Sequence, residues 1–426
     1  MKNTKGITLI ALVITIIVLL ILAGVSIAML TGENGILTQA SNAKQATDEA
    51  NEQEKINIAV AGSRTDEGQI SVEKLKEEIE NQNGKVFGDS VPTTIQINDH
   101  LYRVNASGKV TQAIDGGTLD IVTGTETTNT TVQDALGNKI VVPVGFKIVN
   151  IKDYVTDGII IEDVNHEETK GSQFVWIPVG NVKKEDNTTI NIKLSRYTFA
   201  DNGNPIDQGS NIITENFTEV NISEYGNITA KENIENEEAG FRKSAINNHG
   251  YYIGRYEART NTKRTTSTSD DELTQATERP EEYVYDCVSQ PQAAKLSREM
   301  YSSNNFKSDL MNSYAWDTTI VFFQEFDNRA QKTVPYSKQI SLNSSIAYQG
   351  TNKLLEEGQK DVICNVYDIA SNCYELTTET SIKDSRYPCV GRGGRYYNNF
   401  GCASYRGYDS FNFINDNYSF RNIIYM

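Results

Sequence analysis

Apolar and polar residues follow different patterns along the 426-residue chain, and the first pattern predicts a long helix at the N-terminus. Residues 7–30 carry no charge over 24 positions, which is long enough for a helix that crosses a bilayer. From residue 33 to 61, Leu37 and several alanines recur every three or four positions among charged residues. We therefore expect a helix with an apolar first half and a polar, amphipathic second half.

Two short elements are expected after the long helix. The first is a helix that starts at the N-cap Ser71 and stops near Gly84. Its apolar face is formed by Val72, Leu75 and Ile79. The second is a β-hairpin with its turn at Asn98-Asp99. Apolar residues alternate along its two strands, at Ile95, Ile97, Tyr102 and Val104.

The remaining chain divides into a connector and one large domain. Residues 116–131 are rich in threonine and glycine without an apolar period, which predicts a flexible or extended linker. From residue 132 onward, many short β-type runs and two helices, near 292–300 and 318–326, predict a single irregular α+β domain. The expected divisions are 7–60 for the helix and stalk, 61–115 for a small head, 116–131 for the linker and 132–426 for the large domain.

Charge and composition exclude several function classes. A net charge of -16 argues against nucleic-acid binding, which needs a basic face. The three histidines, His100, His166 and His249, are widely spaced, and the five cysteines show no CxxC spacing. We therefore expect no nucleic-acid partner, no zinc ribbon and no histidine-rich catalytic or metal centre.

The extreme N-terminus carries a short basic leader. Lys2 and Lys5 precede the apolar run, which places that end in the cytoplasm and the rest of the chain outside the cell. The segment KGITLIALVITIIVLLILAGV resembles the class III signal of type IV pilins and pseudopilins. That resemblance implies that residues 1–6 are a leader, which a leader peptidase removes between Gly6 and Ile7.

Ala11 departs from the pilin pattern, which usually has Glu at this position, the fifth of the mature chain. The family links that Glu to docking between subunits, so the resemblance leaves polymerisation with pilin subunits open. Two alternatives to the pilin interpretation remain. One is a plain signal anchor, and the other is a secretory signal peptide with small residues at Ser26-Ile27-Ala28.

Six phrases of the large domain occur in an order that resembles the formylglycine-generating-enzyme (sulfatase-modifying factor) family. They are FVWIPVG, GYYIGRYEART, SYAWDTTIVFF, NVYDIASNCYELTTE, GRGGRYYNNF and SFRNIIYM. The resemblance implies the C-type-lectin fold of that family, although Ser371, Tyr374 and Leu376 replace a usual glycine and two usual tryptophans. The expected fold class is thus α+β, with a pilin-like transmembrane helix and small head before an irregular lectin-like domain.

The chemistry of that family is not expected here. Its cysteine oxidation uses a copper-bound cysteine pair, but only Cys402 follows Gly393-Gly394. Its iron-dependent relatives need clustered histidines, and the domain contains only His166 and His249. We therefore expect no enzyme, and interpret Cys402 as a buried small apolar residue or half of a disulfide.

A calcium ion is the one cofactor that the sequence leaves open. The family binds calcium, and oxygen ligands occur at turn spacing at Asp368, Asn372 and Glu375. The favoured interpretation of these three residues is ordinary turn chemistry, in which Asp and Asn bond the local backbone. No cofactor is therefore expected, apart from a structural calcium as the alternative.

The C-terminal segment has a composition of its own. Ten of the last 32 residues are aromatic, against 9% for the chain, and Asn, Ser, Asp and Gly fill most gaps, as in binding loops. Over the 37 residues from Cys389 to Tyr425 there is no Lys, Glu, Gln, Met or Trp. Those are the five types that codons ending in a pyrimidine cannot encode. The segment resembles the variable region of proteins diversified by adenine-directed retroelements; the alternative is an aromatic terminal core.

The segment, with a variable region at about 390–417, divides into expected roles. Residues 391–394, Gly-Arg-Gly-Gly, are expected to form a constrained turn. A terminal scaffold strand is expected to alternate through Phe420, Arg421, Ile423 and Tyr425, with Arg421 paired internally. The exposed ligand-binding residues are expected to be Tyr396, Tyr397, Asn398, Asn399, Phe400, Ser404, Tyr405, Tyr408, Asp409, Ser410, Phe411, Asn412, Phe413, Asn415, Asp416 and Asn417.

Together these patterns predict a ligand-binding protein displayed on the cell surface, diversified by a retroelement and anchored or assembled through its pilin-like helix. Its expected partners are the membrane, the leader peptidase, pilin subunits if it polymerises, and a protein or carbohydrate ligand. The alternative from another class is a structural minor pilin or pseudopilin without diversification. A formylglycine-generating oxidase is the least favoured of the three.

Overall fold

The computed structural model describes most of the chain in two compact units, Met1–Ile58 and Ala59–Met426. The residues described are 9–31, 36–66, 68–105, 107–113, 119, 122–209, 217–218, 231–264, 266, 272–327, 336–338, 361–381, 386–395, 400–410 and 412–426. Both helices and strands are abundant in the second unit, which confirms the predicted α+β class.

Two helices account for the first unit. They are α1 (Leu9–Thr31) and α2 (Ile36–Gly62), and the last turn of α2 belongs to the second unit. Their bounds fit the predicted apolar and polar halves of a long N-terminal helix. In the part of the chain that the structure describes, no helix meets the length and hydropathy needed to cross a membrane.

A small sheet follows α2, and both local predictions for this region are confirmed. Helix α3 spans Val72–Glu80, and its N-cap Ser71 accepts a hydrogen bond from the Lys74 amide at 3.4 Å. Four antiparallel strands, which we call sheet A, follow in order: β1 (Lys85–Val86), β2 (Thr93–Ile97), β3 (His100–Val104) and β4 (Val110–Gln112). The hairpin turn lies at Asn98-Asp99, since Ile97 pairs with His100.

Helix α3 ends before Gly84, the residue predicted to stop it: its last residue is Glu80 and its C-cap is Asn81. The left-handed conformation expected of Gly84 is adopted by Asn83, with φ 59°. Gly84 is needed for another reason, because a Cβ atom there would lie 2.8 Å from the carbonyl oxygen of Gln96. Its small size therefore allows α3 to pack against β2.

Among the described residues, the large domain is built from strands and three α-helices. The strands are β5 (Thr130–Gln133), β6 (Lys139–Val142), β7 (Phe146–Ile148), β8 (Ile160–Asp163), β9 (Gln173–Pro178), β10 (Gly180–Lys183), β11 (Thr189–Ile192), β12 (Arg196–Phe199), β13 (Pro205–Gly209), β14 (Phe217–Thr218), β15 (Gly250–Gly254), β16 (Arg259–Thr260), β17 (Tyr283–Val284), β18 (Lys307–Leu310), β19 (Val362–Ile363), β20 (Val366–Tyr367), β21 (Tyr374–Ser381), β22 (Cys389–Arg395), β23 (Phe400–Asp409), β24 (Tyr418–Phe420) and β25 (Asn422–Tyr425). The helices are α4 (Lys231–Asn247), α5 (Gln290–Met300) and α6 (Ser313–Phe326).

Two larger sheets organise these strands. Sheet B has six strands in the order β18-β25-β15-β9-β8-β7. Sheet C has the order β14-β21-β22-β23, and β24 pairs with β21 in parallel. The core lies on sheet B and includes α6, with Trp176, Tyr251 and Trp316 almost fully buried. All six residues of β9 are buried because the strand lies inside the sheet with both faces covered.

The helices of the large domain lie close to their predicted positions. Helix α5 begins two residues before the predicted start, after the N-cap Ser289. Helix α6 begins five residues early, because the side chain of Asn312 accepts a hydrogen bond from the Ala315 amide at 2.9 Å and caps the helix there. Helix α4 was not expected, since its polar sequence gave no clear apolar period.

The described part of the predicted linker is packed and not extended through solvent. Leu119 and Val122 are buried in the same core as sheet B, and β5 starts at Thr130 and pairs with β6. These two apolar side chains attach the segment to the core, although several of its threonines remain exposed. The described part of the segment, which was expected to be a flexible or extended connector, therefore packs on the domain, whereas the domain boundaries remain a prediction.

Two predictions for the C-terminal segment also need correction. Residues 391–394 lie within β22 and do not form a turn; only Gly393 has a positive φ, 80°, at a bulge in the pairing with β23. The terminal strand does not alternate, because every residue of β24 and β25 is buried. β25 lies between β18 and β15, so both of its edges are paired, and the burial of all four residues shows that both of its faces are covered as well. The predicted internal pairing of Arg421 is confirmed: its Nε lies 2.9 Å from Glu375 Oε2.

Two phenylalanines of the C-terminal segment provide a matched test of this burial. Phe420 is fully buried beside the ring of Tyr285, whereas Phe413 keeps 36% of its surface exposed. Phe420→Ala should lower the free energy of unfolding by about 3 kcal/mol or more, since it leaves a cavity in the core. Phe413→Ala should lower it by less than about 1 kcal/mol. Urea denaturation of both variants measures the difference, and equal losses would contradict the assigned burial.

Candidate binding face at the C-terminal strands

The predicted variable region forms one edge of sheet C. Strand β23 pairs with β22 and is the last strand in the order of the sheet. Residues 410–417 then lead from β23 into β24, which returns to pair with β21. The candidate binding face therefore consists of β23, the described part of residues 410–417, and the neighbouring ends of β21 and β22.

A buried group of four charges supports this face from below. Arg392 and Arg406 lie directly opposite each other on β22 and β23. Arg392 contacts Asp317 at 2.6 Å and Glu379 at 3.0 Å, and Arg406 contacts the same two carboxylates at 2.6 and 2.8 Å. Each carboxylate thus bonds both guanidinium groups, which neutralises two like charges on adjacent strands. We call these four residues the charge square.

The charge square shifts the pKa values of Asp317 and Arg406. Burial opposes the ionisation of Asp317, but the adjacent Arg406 and Arg392 guanidinium groups hold the pKa of this carboxyl below its usual value. Burial also opposes the charge on Arg406, and Asp317 and Glu379 outweigh it, so the pKa of Arg406 is raised. Asp317 and Arg406 are therefore held in their charged forms, and the four residues together link α6 to β21, β22 and β23.

Backbone atoms of the segment are also bound by the surrounding scaffold. The indole nitrogen of Trp316 donates to the carbonyl oxygen of Ala403 at 2.8 Å. The Nε of Arg392 donates to the carbonyl oxygen of Tyr405 at 3.0 Å. At the far end, the amide of Tyr374 donates to the carbonyl oxygen of Asn417 at 3.0 Å. Strand β23 and the end of the following segment are thus fixed at several points.

An aromatic layer covers the other side of β23. The Tyr405 ring stacks on Tyr374 with centroids 5.5 Å apart, and Tyr418 meets Tyr374 edge-on at 5.4 Å. The guanidinium carbon of Arg395 lies 4.9 Å from the centroid of the Tyr374 ring, a cation–π contact. Tyr418 donates its hydroxyl proton to Asp409, whose pKa is raised mainly by burial. These rings form a platform that is partly accessible from outside.

Several side chains project beyond that platform. Tyr408 has 41% of its surface exposed and Phe413 has 36%, and Asn412 and Asp416 are also exposed. The ring of Tyr387, 40% exposed, lies 6.4 Å from that of Tyr408 and extends the face. Sequence reasoning did not identify Tyr387, because it precedes the segment with the unusual composition. Exposed rings beside small polar groups offer contact area together with adaptable hydrogen bonding.

The structure distributes the predicted binding residues over three environments. The exposed residues are Tyr408, Asn412, Phe413 and Asp416, and the half-buried residues are Ser404, Tyr405, Asp409, Ser410 and Asn415. Asn417 is buried. The predicted residues that lie outside the described residues are Tyr396, Tyr397, Asn398, Asn399 and Phe411, the leader-cleavage residues Gly6 and Ile7, and the side chain of Phe400.

Two predictions of solvent exposure are corrected here. Asn417 is buried because it leads directly into β24 and its carbonyl oxygen is bound by β21. Tyr405 is half-buried because its ring stacks on Tyr374 and packs against the apolar cluster around Phe420. Tyr405 therefore contributes to the platform as well as to the surface, and its truncation affects packing.

The potential calcium ligands act as structural residues. Asp368 and Asn372 are buried with φ of 63° and 60°, as is typical of Asp and Asn in tight turns. Glu375 is bound to Arg421. Among the described residues, no group of three or more acidic, histidine or cysteine side chains is arranged to hold a metal ion.

The cysteines add little to the candidate binding face. None of the five cysteines forms a disulfide, and Cys402 is half-buried with its Sγ 3.5 Å from Ser404 Oγ, so the disulfide interpretation of Cys402 is wrong.

A pocket of about 390 Å³ is lined by Arg103 and Lys184, and another of about 460 Å³ by Asn181 and His249. The candidate face is instead an open surface, which suits a broad contact.

Comparisons with protein-family models, with curated proteins and with solved structures found no match to this chain. The class of the domain is therefore the mixed α+β architecture described above. The interpretation of its candidate face depends on the chemistry of the face itself.

The charge square predicts a specific dependence of stability on pH. Because the folded pKa of Asp317 is lowered, its stabilising effect is present above the unfolded value of about 3.9 and is lost as the pH falls through the folded pKa. Asp317→Asn should lower the free energy of unfolding at pH 7 by about 3 kcal/mol, since it leaves buried arginines under-compensated. The difference from the wild type should shrink in acid.

Denaturation between pH 2 and pH 7 measures this effect. Asp201→Asn is the control, because Asp201 is exposed in a turn and its replacement should leave the whole profile nearly unchanged. A constant difference between Asp317→Asn and the wild type at every pH would contradict the role of the charge square.

Proposed function

We propose that the protein is a ligand-binding protein displayed on the cell surface, whose C-terminal face is diversified by a retroelement. The observation that carries this proposal is the absence of Lys, Glu, Gln, Met and Trp over the 37 residues from Cys389 to Tyr425. Adenine-directed mutation of asparagine codons would produce Asn, Tyr, Ser, Asp, Phe and Ile, which fill much of this segment. Selection for an aromatic core alone gives no reason to exclude Gln and Met.

The proposal is also supported by where the residues that contact the segment lie along the chain. The carboxylates that neutralise Arg392 and Arg406 are Asp317 and Glu379, and both precede the segment in the chain. The Tyr374 ring beneath Tyr405 also precedes it. Side chains such as Tyr408, Asn412 and Phe413 can therefore change, provided that Arg392 and Arg406 are retained, because the groups that bind these two arginines are encoded outside the segment.

The exposed chemistry of the face favours a protein or carbohydrate ligand. Tyr408, Tyr387 and Phe413 offer exposed rings, and Asn412 and Asp416 offer hydrogen-bonding groups beside them. Aromatic rings provide contact area with few torsions to immobilise, and such residues dominate binding hot spots. The lectin-like fold belongs to the same proposal and is supported by the six ordered phrases and by the α+β class.

The N-terminus supplies the proposed display device. The pilin-like signal would be cut by a leader peptidase, and the apolar run would then anchor the protein in the membrane or assemble it with pilin subunits. The sequence pattern supports this, as do the bounds of α1 and α2, which fit a long helix with an apolar first half. The large domain would then lie outside the cell.

Sequencing of the 3′ coding end in independent isolates tests the diversification. We expect a near-copy of this end beside a reverse-transcriptase gene, with adenines at the variable codons. Differences between isolates should concentrate at codons for exposed residues such as 408, 412, 413 and 416, and should spare codons 317, 374 and 379. Identical 3′ ends without a near-copy would contradict diversification and favour a structural minor pilin.

N-terminal mass spectrometry tests the display device separately. The mature chain should begin at Ile7, and Gly6→Leu should block this cleavage because a small residue precedes the cut in the pilin signal. Gly24→Leu is a control in the same apolar region and should leave the cleavage intact. An intact Met1 would support a plain signal anchor, and a start at Met29 would support a secretory signal peptide.

A further inference from the structure

The contact between sheet A and the large domain is built from two arginines that cross it in opposite directions. Arg103 extends from β3 of sheet A to carboxylates of the large domain. Arg255 of the large domain, directly after β15, extends to Asp89 of the β1–β2 loop. Both arginines are at least 95% buried, so each charge depends on its partners across the contact.

Arg103 forms the larger of the two contacts. Its Nη2 lies 2.6 Å from Asp157 Oδ1, its Nε lies 2.6 Å from Glu185 Oε1, and its Nη1 is 3.8 Å from Asp153 Oδ1. Asp153 also accepts a hydrogen bond from the Thr94 amide of β2 at 2.9 Å. Asp153 and Asp157 are fully buried in this contact, so both carboxylates have exchanged water for the Arg103 guanidinium and the Thr94 amide of sheet A.

Asp89 forms the second contact together with Asn365. The Arg255 guanidinium and the Lys76 ammonium group both bond Asp89, and although burial opposes ionisation, they hold the pKa of its carboxyl below the usual value. The Asp89 amide donates to Asn365 Oδ1 at 2.8 Å, and the Asn365 amide donates to Ser90 Oγ at 2.9 Å. Asn365 therefore exchanges hydrogen bonds with the β1–β2 loop in both directions.

The last turn of α2 is joined to sheet A as well. Ala59 and Val60 are buried, and the Ser71 amide donates to the Ser63 carbonyl oxygen at 2.8 Å. Arg64 Nη2 donates to the carbonyl oxygen of Ser107, in the β3–β4 turn, at 2.7 Å. The β3–β4 turn of sheet A is thus bonded to the chain directly after α2, and sheet A also contacts the large domain.

We propose that sheet A is a docking module that unfolds and moves as one cooperative body with the large domain, and that it couples the end of α2 to that domain. Its partner is the acidic surface formed by Asp153, Asp157 and Glu185 together with the Arg255–Asn365 pair. Each time a separable head on a flexible linker swung away, it would break these ion pairs and hydrogen bonds and return their charged groups to water. The inference does not depend on whether the C-terminal face binds a ligand.

Hydrogen–deuterium exchange on the full-length protein in mild detergent tests this docking. In the wild type, the slowest amides of β2 and β3 should exchange through the same global opening as those of β9 and β15. Arg103→Met keeps much of the side-chain length but removes the charge. It should accelerate exchange in β2 and β3 by about 100-fold, the size expected for breaking a buried ion pair.

Glu185→Gln is the matched control, because Glu185 bonds the same arginine but keeps 46% of its side chain exposed. It should change exchange in β2 and β3 by less than about fivefold. If Arg103→Met fails to fold while Glu185→Gln folds, the result supports the dependence on Arg103. In that case, hydrogen–deuterium exchange of Asp89→Asn measures the contribution of the second contact. Independent, faster opening of β2 and β3 in the wild type would overturn the proposal, as would equal effects of Arg103→Met and Glu185→Gln.

Discussion

Buried guanidinium groups are the interactions on which the architecture of the large domain depends. Arg392 and Arg406 hold sheet C to α6, and Arg421 holds sheet C to sheet B by bonding Glu375 and the carbonyl oxygen of Gly254. A buried charge is strongly unfavourable without partners, so each arginine specifies where its carboxylates must lie.

Local signals explain what could be predicted from the sequence. The helix after Ser71 and the hairpin at Asn98-Asp99 depend on caps, turns and apolar alternation within a few residues. The strand at residues 391–394 could not be recognised in the same way. Three glycines in four residues suggest a turn. The carboxylate that binds Arg392 of this strand belongs to Asp317, which lies 75 residues earlier in the chain. Long-range charge pairing left no local pattern to detect.

The candidate face was predictable in composition but not in geometry. The aromatic excess identified the segment, and Tyr408 and Phe413 are exposed within it. Composition does not say which side of a strand a residue occupies, so the stacking of Tyr405 on Tyr374 was missed. Composition also did not identify Tyr387, whose ring lies beside that of Tyr408 although Tyr387 precedes the segment. Burial of Asn417 follows from its position before β24, a strand whose pairing with β21 is set by the whole sheet.

The hydrogen bonds from Trp316 to Ala403, from Arg392 to Tyr405 and from Tyr374 to Asn417 all end on main-chain oxygens. Every amino acid carries that oxygen, so Trp316 and Tyr374, which lie outside the segment, would bond it whatever the side chains at 403 and 417 are. At these two positions the anchoring bond and the side-chain chemistry are carried by different atoms. A lineage could replace the outward chemistry of such positions repeatedly while inheriting an unchanged set of anchoring bonds, which makes the segment tolerant of variation without making it loose.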